Sequence, residues 1–350
     1  MQEFILAERA KLIIKENVLA LICNSPLKTV SSAFYHGGHK QVKAVLNVGV
    51  PEGYNDLSLH LDPLKLITSS AARVGVTKNY LAMVTAAKIQ NFSLVTQKFD
   101  DFSVSVAVTA GCKHGESSGE QMDVQELCGT INIIVFIDAK PSDSCMVAAL
   151  ITATEAKSAA LMDLDVRSFY SGDSATGSIT DSVTIASLNQ GKKVALAGPA
   201  SKLGKIIGSC TRHAVTEALL KQEPFWARRT VQERLKERKF TFEKMAAELS
   251  KVEGLTVEAA DLIDILSNKP TVGPYLLAAA KMDDDYKKNL LPTDFMDWNK
   301  ASKCFGALTC TKLGYSKIPN YECVDLPPFL KYVLIRIIQE NRKQNFSEKT

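Results

Sequence analysis

Runs of β-branched and aromatic residues, separated by glycine-containing turns, occupy most of the first 200 residues. Such runs are typical of β-strands, because these side chains pack well on a pleated surface. Seven are predicted as strands: Thr29–Tyr35, Val42–Val48, Leu81–Ala86, Val104–Thr109, Ile131–Ile137, Ser182–Ala186 and Val194–Ala197. A sheet of this size must bury at least one face, which requires a further layer of structure.

Helical patterns interrupt the strands at two places. Residues 145–164 and 201–222 both place apolar residues at helical spacing, the first after a Pro-Ser-Asp-Ser start and the second after Gly198-Pro199. Both antiparallel pairs and helical crossovers are compatible with this order. We therefore expect an α/β or α+β fold, a layered domain in which helices cover a mixed β-sheet.

The pattern changes after Pro224. Short amphipathic helices are predicted over 241–252 and 257–267, and a longer one in PPFLKYVLIRIIQENRK, where an apolar stripe runs from prolines to basic residues. We predict two domains, an α/β domain over 1–222 and a mostly helical C-terminal extension over 223–350.

Charge is unevenly distributed along the chain. The first 220 residues carry 20 basic and 20 acidic side chains, so the net charge of +4 arises entirely after residue 220. The basic stretch 228–239 alternates with Glu233 and Glu237 and contains few aromatic residues, which favours a solvated helix face over a nucleic-acid-binding segment.

Three further features indicate the compartment. The first 25 residues mix charged with apolar side chains, unlike a signal peptide, and no apolar run approaches the roughly 20 residues of a membrane helix. The eight cysteines contain no C-x-x-C pair, which suits reduced thiols. We expect a cytoplasmic protein that binds neither membranes nor nucleic acids.

Motifs for metals and nucleotides are missing from the sequence. His36 and His39 in HGGH have no neighbouring cysteine or carboxylate, and Cys304, Cys310 and Cys323 have no nearby histidine. Neither a P-loop nor a strand-led G-x-G-x-x-G is present. We predict no metal site, and the chemistry left is that of hydroxyls, amides and carboxylates.

Hydroxyl groups alternate in the segment YSGDSATGSITDSVTIA, 170–186, at every second position from Ser174 to Thr184. One unbroken strand would present six of them on one face. Gly172 and Gly177 allow the backbone to turn, however, whereas only the end of the segment alternates as a strand does. We predict a glycine loop that leads into a strand, with a carboxylate well placed for a polar site, Asp181, at the junction.

Other polar residues are singled out by their positions. Asn132 interrupts an apolar strand, so its amide must find hydrogen bonds inside the fold. His36 and His114 each lie in a glycine turn after a β-rich run, where a loop can present a ligand-binding side chain or simply connect two strands. Glu155 and Lys157 point about 200° apart on their helix, so only one of them can face a pocket.

Taken in order, these segments resemble the adenosylcobinamide amidohydrolase family of corrinoid-salvage enzymes. The closest motifs are GTINIIVFIDA, ITATEAKSAAL and YSGDSATGSITDSVTIA, the last similar to a family pattern YSG-xx-ATGTGTDSVVVA. Weaker similarity lies in SSAFYHGG, Asn47, VPEGY at 50–54, VTAG and GPASKLGKIIG. The resemblance covers roughly residues 12–222. Ser178-Ile179 departs from the usual Thr-Gly, which bears on substrate range more than on reaction type.

The resemblance implies hydrolysis of the amide that joins aminopropanol to the corrin ring of adenosylcobinamide, yielding adenosylcobyric acid in cobalamin salvage. The partner is then a small-molecule corrinoid, and the cobalt belongs to that substrate, so no separate cofactor is implied. Amide hydrolysis requires an activated nucleophile, a stabilised oxyanion and a protonated leaving amine.

Residue roles follow as expectations from this chemistry. Asp181 is expected to polarise water or a neighbouring hydroxyl, Thr176 or Thr180 being the alternative nucleophile. Lys157 is the candidate acid or oxyanion partner, and His36 and His114 are candidates for proton transfer. The implied substrate-binding residues are Gly37, Gly38, Asn47, Thr130, Asn132, Glu155, Tyr170, Ser171, Gly172, Gly177 and Ser182.

Two alternatives remain open at this point. A corrinoid-binding carrier or sensor would use the hydroxyl loop without catalysis, and would tolerate replacement of His36 or His114 because it needs no proton donor. An amidase of the same fold would act on a different amide, as the changed loop suggests. The identity of the product separates these alternatives.

Overall fold

The computed structural model describes residues 2–51, 63–99, 101–120, 129–252, 256–291, 298–308 and 323–347. The chain divides into two compact units, residues 1–228 and residues 229–350. Each unit has its own hydrophobic core and is described by itself.

The first unit is built from strands and helices. Its strands are β1 Gln2–Ala7, β2 Ala10–Lys15, β3 Val18–Ser31, β4 Gly38–Gly49, β5 Tyr80–Thr85, β6 Ser93–Phe99, β7 Phe102–Gly111, β8 Thr130–Asp138, β9 Lys140–Pro141, β10 Ser182–Ser187 and β11 Lys193–Val194. Its α-helices are α1 Pro63–Arg73, α2 Asp143–Asp163 and α3 Lys202–Gln222, and short 3₁₀ turns lie at Ile89–Asn91 and Pro224–Ala227.

Nine of the described strands form one mixed sheet. The order is β1-β2-β3-β10-β8-β7-β6, while β4 pairs with the long β3, and β5 pairs with β4. The β10–β8 and β4–β5 pairs are parallel and the other pairs are antiparallel. The β3–β4 register shifts between Ile22 and Leu27, which allows β3 to bend from one half of the sheet to the other.

This bend folds the sheet over itself and creates three apolar layers. One face of β8, including Ile133 and Val135, packs against α2 and α3. The opposite face of β8, with Phe136, packs against the half of the sheet formed by β2 to β5. Helix α1 covers the far side of that half. The mixed sheet covered by helices is confirmed, and the class is α+β.

Helix α2 is the most apolar of the three α-helices of the first unit. Ser142 caps its start by accepting the N–H of Cys145. Within the described residues it is the one helix long and apolar enough to cross a membrane, and half of its most apolar 18-residue stretch is buried. Cys145, Ala149 and Ala153 contribute to the core against the sheet, as expected for the core helix of a soluble domain.

Several elements were not predicted. The β1–β2 hairpin and β6 carry many charged or polar side chains on their exposed faces, which hides the apolar alternation that identifies a strand. Helix α1 was also missed. The strand predicted over Thr29–Tyr35 in fact begins at Val18 and ends at Ser31, and the one predicted over Val194–Ala197 is only the two-residue β11.

The second unit is helical, as predicted for the C-terminal extension. Its helices are α4 Val231–Glu237, α5 Phe242–Leu249, α6 Ala259–Asn268, α7 Val272–Lys287, α8 Trp298–Leu308 and α9 Pro328–Ser347. Buried Asp283 of α7 caps α9 by accepting the N–H groups of Phe329 and Leu330, at 2.9 and 2.8 Å. Burial raises the pKa of Asp283 to about 7.

Candidate active site

A buried ion pair lies where the glycine loop enters β10. The Lys157 ammonium, from α2, donates to Oδ2 of Asp181, and only 9% and 12% of the two side chains are exposed. The Asp181 carboxylate also accepts the backbone N–H groups of Ile131, at 2.9 Å, and Ser178, at 3.1 Å, and the Ser178 hydroxyl. Asp181 thereby ties α2, β8 and its own loop together.

Gly177 leaves the space that this ion pair needs. A Cβ atom at Gly177 would lie 2.6 Å from Asp181 Oδ2 and 2.8 Å from Lys157 Nζ, closer than real Cβ atoms approach other atoms. The glycine is therefore required here for close approach of the backbone to the ion pair.

A pair of threonines lies beside the ion pair at the start of β8. The hydroxyl oxygens of Thr180 and buried Thr130 are 2.8 Å apart, and Thr180 donates to the Gly129 carbonyl at 3.1 Å. Thr180 is exposed, so its hydroxyl is accessible to a ligand. Because the pair joins the start of β8 to the residue before Asp181, the hydroxyl is held in a fixed position.

Buried amides continue the polar row into the fold. Asn132 donates to Oδ1 of Asn47 at 2.8 Å and to the Val84 carbonyl at 2.9 Å, and Asn47 donates to the Thr109 hydroxyl at 2.7 Å. The side-chain NH₂ group of Asn132 makes the predicted hydrogen bonds inside the fold, whereas its Oδ1 atom is buried without a partner among the described residues. Its neighbour across the β8–β10 ladder is Ser182.

The turn after β3, residues 32–37, bridges two strands near this row. The Ser32 N–H donates to the Val183 carbonyl, and the Ser32 hydroxyl lies 3.3 Å from that of Ser182. Three residues later, Tyr35 exchanges backbone hydrogen bonds with Ala82 of β5. The turn is thus fixed to β10 at one end and to β5 at the other.

The loop after β7, residues 112–120, pairs with the glycine loop. Glu116 pairs with Gly177 through backbone hydrogen bonds, and the Ser118 N–H donates to the Thr176 hydroxyl at 2.9 Å, which in turn donates to the Ser118 hydroxyl. Thr176 is consequently held between the two loops. The Gly115 carbonyl accepts the Phe169 N–H, so the loops are joined along their length.

Two carboxylates of this loop pair have pKa values that move in opposite directions. Burial raises the pKa of Glu116, the nearby charge of Glu120 raises it further, and His114 opposes both effects. Burial also acts on Glu120, but hydrogen bonds from Ser168 and Ser171 outweigh it and lower the pKa of Glu120. Divergent pKa values in neighbouring carboxylates are the pattern found in acid and base pairs.

Other expected residues surround this loop pair. Burial raises the pKa of Tyr170, and the charges of nearby Glu116 and Glu120 raise it further. Ser171 accepts the Asp173 N–H, and Gly172 has a φ of 77°, which favours glycine. The ring of His114 meets the edge of Phe169, with centroids 4.8 Å apart.

The structure separates four expected residues from the ion pair. His36 and Gly37 lie in the turn that leads into β4, and Gly38 is the first residue of that strand. The His36 ring stacks on Tyr35, and its Nδ1 lies 3.1 Å from the Tyr80 carbonyl. Glu155 is exposed and lines a groove between α2 and α3, on the side of α2 away from Lys157. The 200° angle between Glu155 and Lys157, expected from helix geometry, explains this separation.

Three contributors escaped the sequence interpretation. Ser178 was seen only as a departure from a family threonine, yet it keeps the hydroxyl that donates to Asp181. Ser32 and Glu116 join the site through backbone pairing, which has no sequence signal. A G-x-S-x-G pattern, Gly115–Gly119, was also overlooked, but it lies in a loop between strands and not at the strand-to-helix turn of a serine-hydrolase elbow.

Possible metal ligands do not cluster in the described residues. Within the described part of the chain, no group of three or more His, Cys, Asp or Glu side chains is arranged to hold a metal ion. Six cysteines in that part are free thiols, and burial raises the pKa of three of them, Cys112, Cys145 and Cys210; Cys112 lies beside Gly177. Cys310 and residues 52–54 of the VPEGY motif lie outside the described residues.

Comparison with known proteins relates this region to one family. The model of the adenosylcobinamide amidohydrolase family matches residues 3–225. The chain is 30% identical over 207 residues to an uncharacterized protein of Methanocaldococcus jannaschii, covering 53% of this chain and 80% of the relative. It is 29% identical over 206 residues to an adenosylcobinamide amidohydrolase of Methanosarcina mazei, covering 57% of this chain and 90% of the relative.

A solved structure also shows a weak likeness. A Pyrococcus horikoshii protein matches with a TM-score of 0.31 and 10% identity, covering 61% of this chain and 82% of its own. A similarity of this size carries no conclusion. The family match over residues 3–225, in contrast, spans the positions of the ion pair, both threonines and the buried amides, and it ends before the second unit.

Proposed function

The chain belongs to the adenosylcobinamide amidohydrolase family, and we propose that it hydrolyses the amide joining aminopropanol to the corrin ring of adenosylcobinamide. Water adds across this amide: a C–O bond forms, the C–N bond breaks, and the products are adenosylcobyric acid and aminopropanol. We place the reaction in cobalamin salvage in the cytoplasm, with the cobalt entering and leaving as part of the corrinoid.

One observation supports this proposal most strongly. The three motifs shared with the family converge on one point of the fold, because Ile131 and Thr130, Lys157, and the loop 177–181 all meet at Asp181 or Thr180. These segments are separated by 24 to 50 residues in the chain. A shared set of motifs that meets in space is expected for a functional site rather than for separate structural needs.

The ion pair is assigned a positioning role. A carboxylate has about four acceptor sites, and Asp181 already accepts from one ammonium, one hydroxyl and two backbone N–H groups. To act as a base it would have to exchange one of these donors. We therefore assign to Lys157 and Asp181 the task of holding the loop so that the exposed Thr180 hydroxyl faces the substrate.

Thr180 is assigned to the reacting amide. Thr130 and the Gly129 carbonyl fix its oxygen, so that it can orient the attacking water or attack as the nucleophile. A threonine hydroxyl needs a base to attack as the nucleophile. A covalent acyl-enzyme forms if the hydroxyl attacks, and none forms if water attacks. Trapping of that intermediate with hydroxylamine distinguishes the two.

Glu116 is the candidate proton donor for the departing amine. It lies in the loop paired with Gly177, and burial raises its pKa, which keeps a proton available closer to neutral pH. His114, which is close enough to affect the pKa of Glu116, is the candidate for returning the proton afterwards.

The test is mass spectrometry of adenosylcobinamide incubated with the purified protein. Adenosylcobyric acid and free aminopropanol are the expected products, and a Thr180→Val variant serves as the matched control because it keeps the shape of the side chain. If the corrinoid binds but stays intact, the protein is a corrinoid carrier and not an enzyme. Hydrolysis of another amide, with adenosylcobinamide untouched, would identify a related amidase.

A further inference from the structure

Two large apolar side chains are exposed to solvent in the turn and the loop that carry the hydroxyls of Ser32 and Thr180. Phe34, in the turn 32–37, is 70% exposed, and Ile179, in the glycine loop, is 38% exposed. Apolar side chains exposed next to a polar binding wall are typical of a ligand-binding surface, whereas isolated ones elsewhere need no explanation.

Phe34 and Ile179 flank one contact. The hydroxyls of Ser32 and Ser182 lie 3.3 Å apart where the turn meets β10. Phe34 follows Ser32 by two residues and Ile179 precedes Ser182 by three, so their Cα atoms lie within about 7 and 11 Å of the Cα atoms of those serines. The backbone at Phe34 and Ile179 is therefore anchored near one contact, in the same part of the site as Thr180 and Asp181.

We propose that Phe34 and Ile179 form an apolar clamp for the face of the corrin ring. This inference rests on the proposed function and extends it to the residues that determine affinity. A corrinoid has a broad, largely apolar ring bordered by side-chain amides. The ring suits the two apolar side chains, and its amides suit the hydroxyls of the exposed residues Ser32 and Thr180.

Ile179 supplies the half of the clamp that lies in the glycine loop. Its neighbour Ser178 donates its hydroxyl to Asp181, which holds this part of the loop in place. Ile179 is more than one-third exposed, so it is not needed to fill the core. Its added apolar area is available to a ligand.

The test measures equilibrium dissociation constants by dialysis, for adenosylcobyric acid with each protein and for adenosylcobinamide in the Thr180→Val background, where the substrate is not consumed. The variants are Phe34→Ser, Ile179→Thr and the two combined. Leu196→Ser is the matched control, because Leu196 is also 70% exposed but follows β11, beyond the opposite ends of β8 and β10. Phe34→Leu, which keeps an apolar side chain, tests rescue.

Each clamp variant is expected to weaken binding about tenfold, a typical effect of losing one apolar contact. Substrate and product share the corrin ring, so the binding of both should weaken by the same factor, while Leu196→Ser and Phe34→Leu should bind them as the parent chain does. A loss confined to the substrate, or equal affinity in all variants, would overturn the clamp.

The proposed reaction is tested separately in the same series. If the parent chain binds both corrinoids and the clamp variants weaken them equally, but no product forms, the clamp stands and the reaction fails. If the parent chain binds neither corrinoid, the clamp fails together with the proposed function.

Discussion

Lys157 and Asp181 form a buried ion pair between α2 and the loop before β10, and the same carboxylate accepts two backbone N–H groups. Removing one partner leaves the other charge in a site where water reaches it poorly. The pair thus combines two tasks, holding the loop and fixing the start of β8.

Replacement of either partner should therefore be costly. Lys157→Met or Asp181→Asn should each lower the free energy of unfolding by about 3–5 kcal/mol and reduce hydrolysis by at least about a hundredfold. Urea unfolding and turnover measure the two effects. The double variant should cost less than the sum of the single ones, and strictly additive costs would show that the charges are not coupled.

Gly177→Ala tests the space beside that pair. The added methyl group would meet Asp181 and Lys157 at less than 3 Å, so we expect a loss of about 1–3 kcal/mol in stability and a large loss of activity. Gly198→Ala is the control, since a Cβ atom there meets nothing within 4 Å. Equal behaviour of the two variants in thermal unfolding and turnover would contradict the packing at Gly177.

The amide pair Asn132 and Asn47 supports a third prediction. Asn132→Ala leaves the Asn47 oxygen and the Val84 carbonyl without their donor, at a cost of about 1–3 kcal/mol. Once that bond is gone, Asn47→Ala should cost less than it does alone. A thermodynamic cycle of the single and double variants gives the coupling, and a value near zero would argue against the bond.

The proton-donor assignment of Glu116 predicts the shape of the pH profile. Since a donor must be protonated, kcat should fall as pH rises through the raised pKa of Glu116, and Glu116→Gln should lower kcat and remove that limb. Glu155→Gln, on the far side of α2, is the control and should keep the parent profile. An unchanged limb in Glu116→Gln would assign the titration to another group.

Asp283 makes the second unit sensitive to pH. Its pKa in the folded state, about 7, lies above the ordinary 3.8, so the folded state binds this proton more tightly. The resulting stabilisation is complete below about pH 4 and is lost as pH rises through 7, by up to about 4 kcal/mol. Unfolding of the full chain, followed by helical circular dichroism between pH 4 and 8, should show this decline.

Asp283→Asn should remove the decline, because an amide does not titrate in this range. The variant also replaces one acceptor oxygen by an NH₂ group, so a constant loss from the cap of α9 is expected at every pH. If stability still declines with pH in Asp283→Asn, other carboxyl groups cause the decline. Asp284 is one candidate, because its charge raises the pKa of Asp283.

Local pattern was enough to predict the strands and helices that meet at the site. The apolar run of β8 and the Ala-rich sequence of α2 leave few alternatives, and Asn132 could be recognised as internally bonded because its strand is otherwise apolar. The separation of Glu155 from Lys157 follows from helix geometry alone.

Long-range pairing is what sequence could not provide. Nothing local indicates that β3 bends between two halves of one sheet, or that Glu116 pairs with Gly177 across 61 positions of the chain. The partner of Lys157 was named as a site residue, but its contact depends on tertiary packing. The β1–β2 hairpin was missed because charged residues cover its exposed face.

The turn 32–37 has a consequence for recognition. Because Ser32 is bonded to β10 and Tyr35 to β5, the backbone that presents Phe34 cannot move far without breaking sheet hydrogen bonds. If Phe34 binds a corrinoid as proposed, the turn is already assembled when the ligand arrives, and little of the binding free energy is lost to ordering the loop. Rapid association without a slow conformational step is the kinetic signature of such a surface.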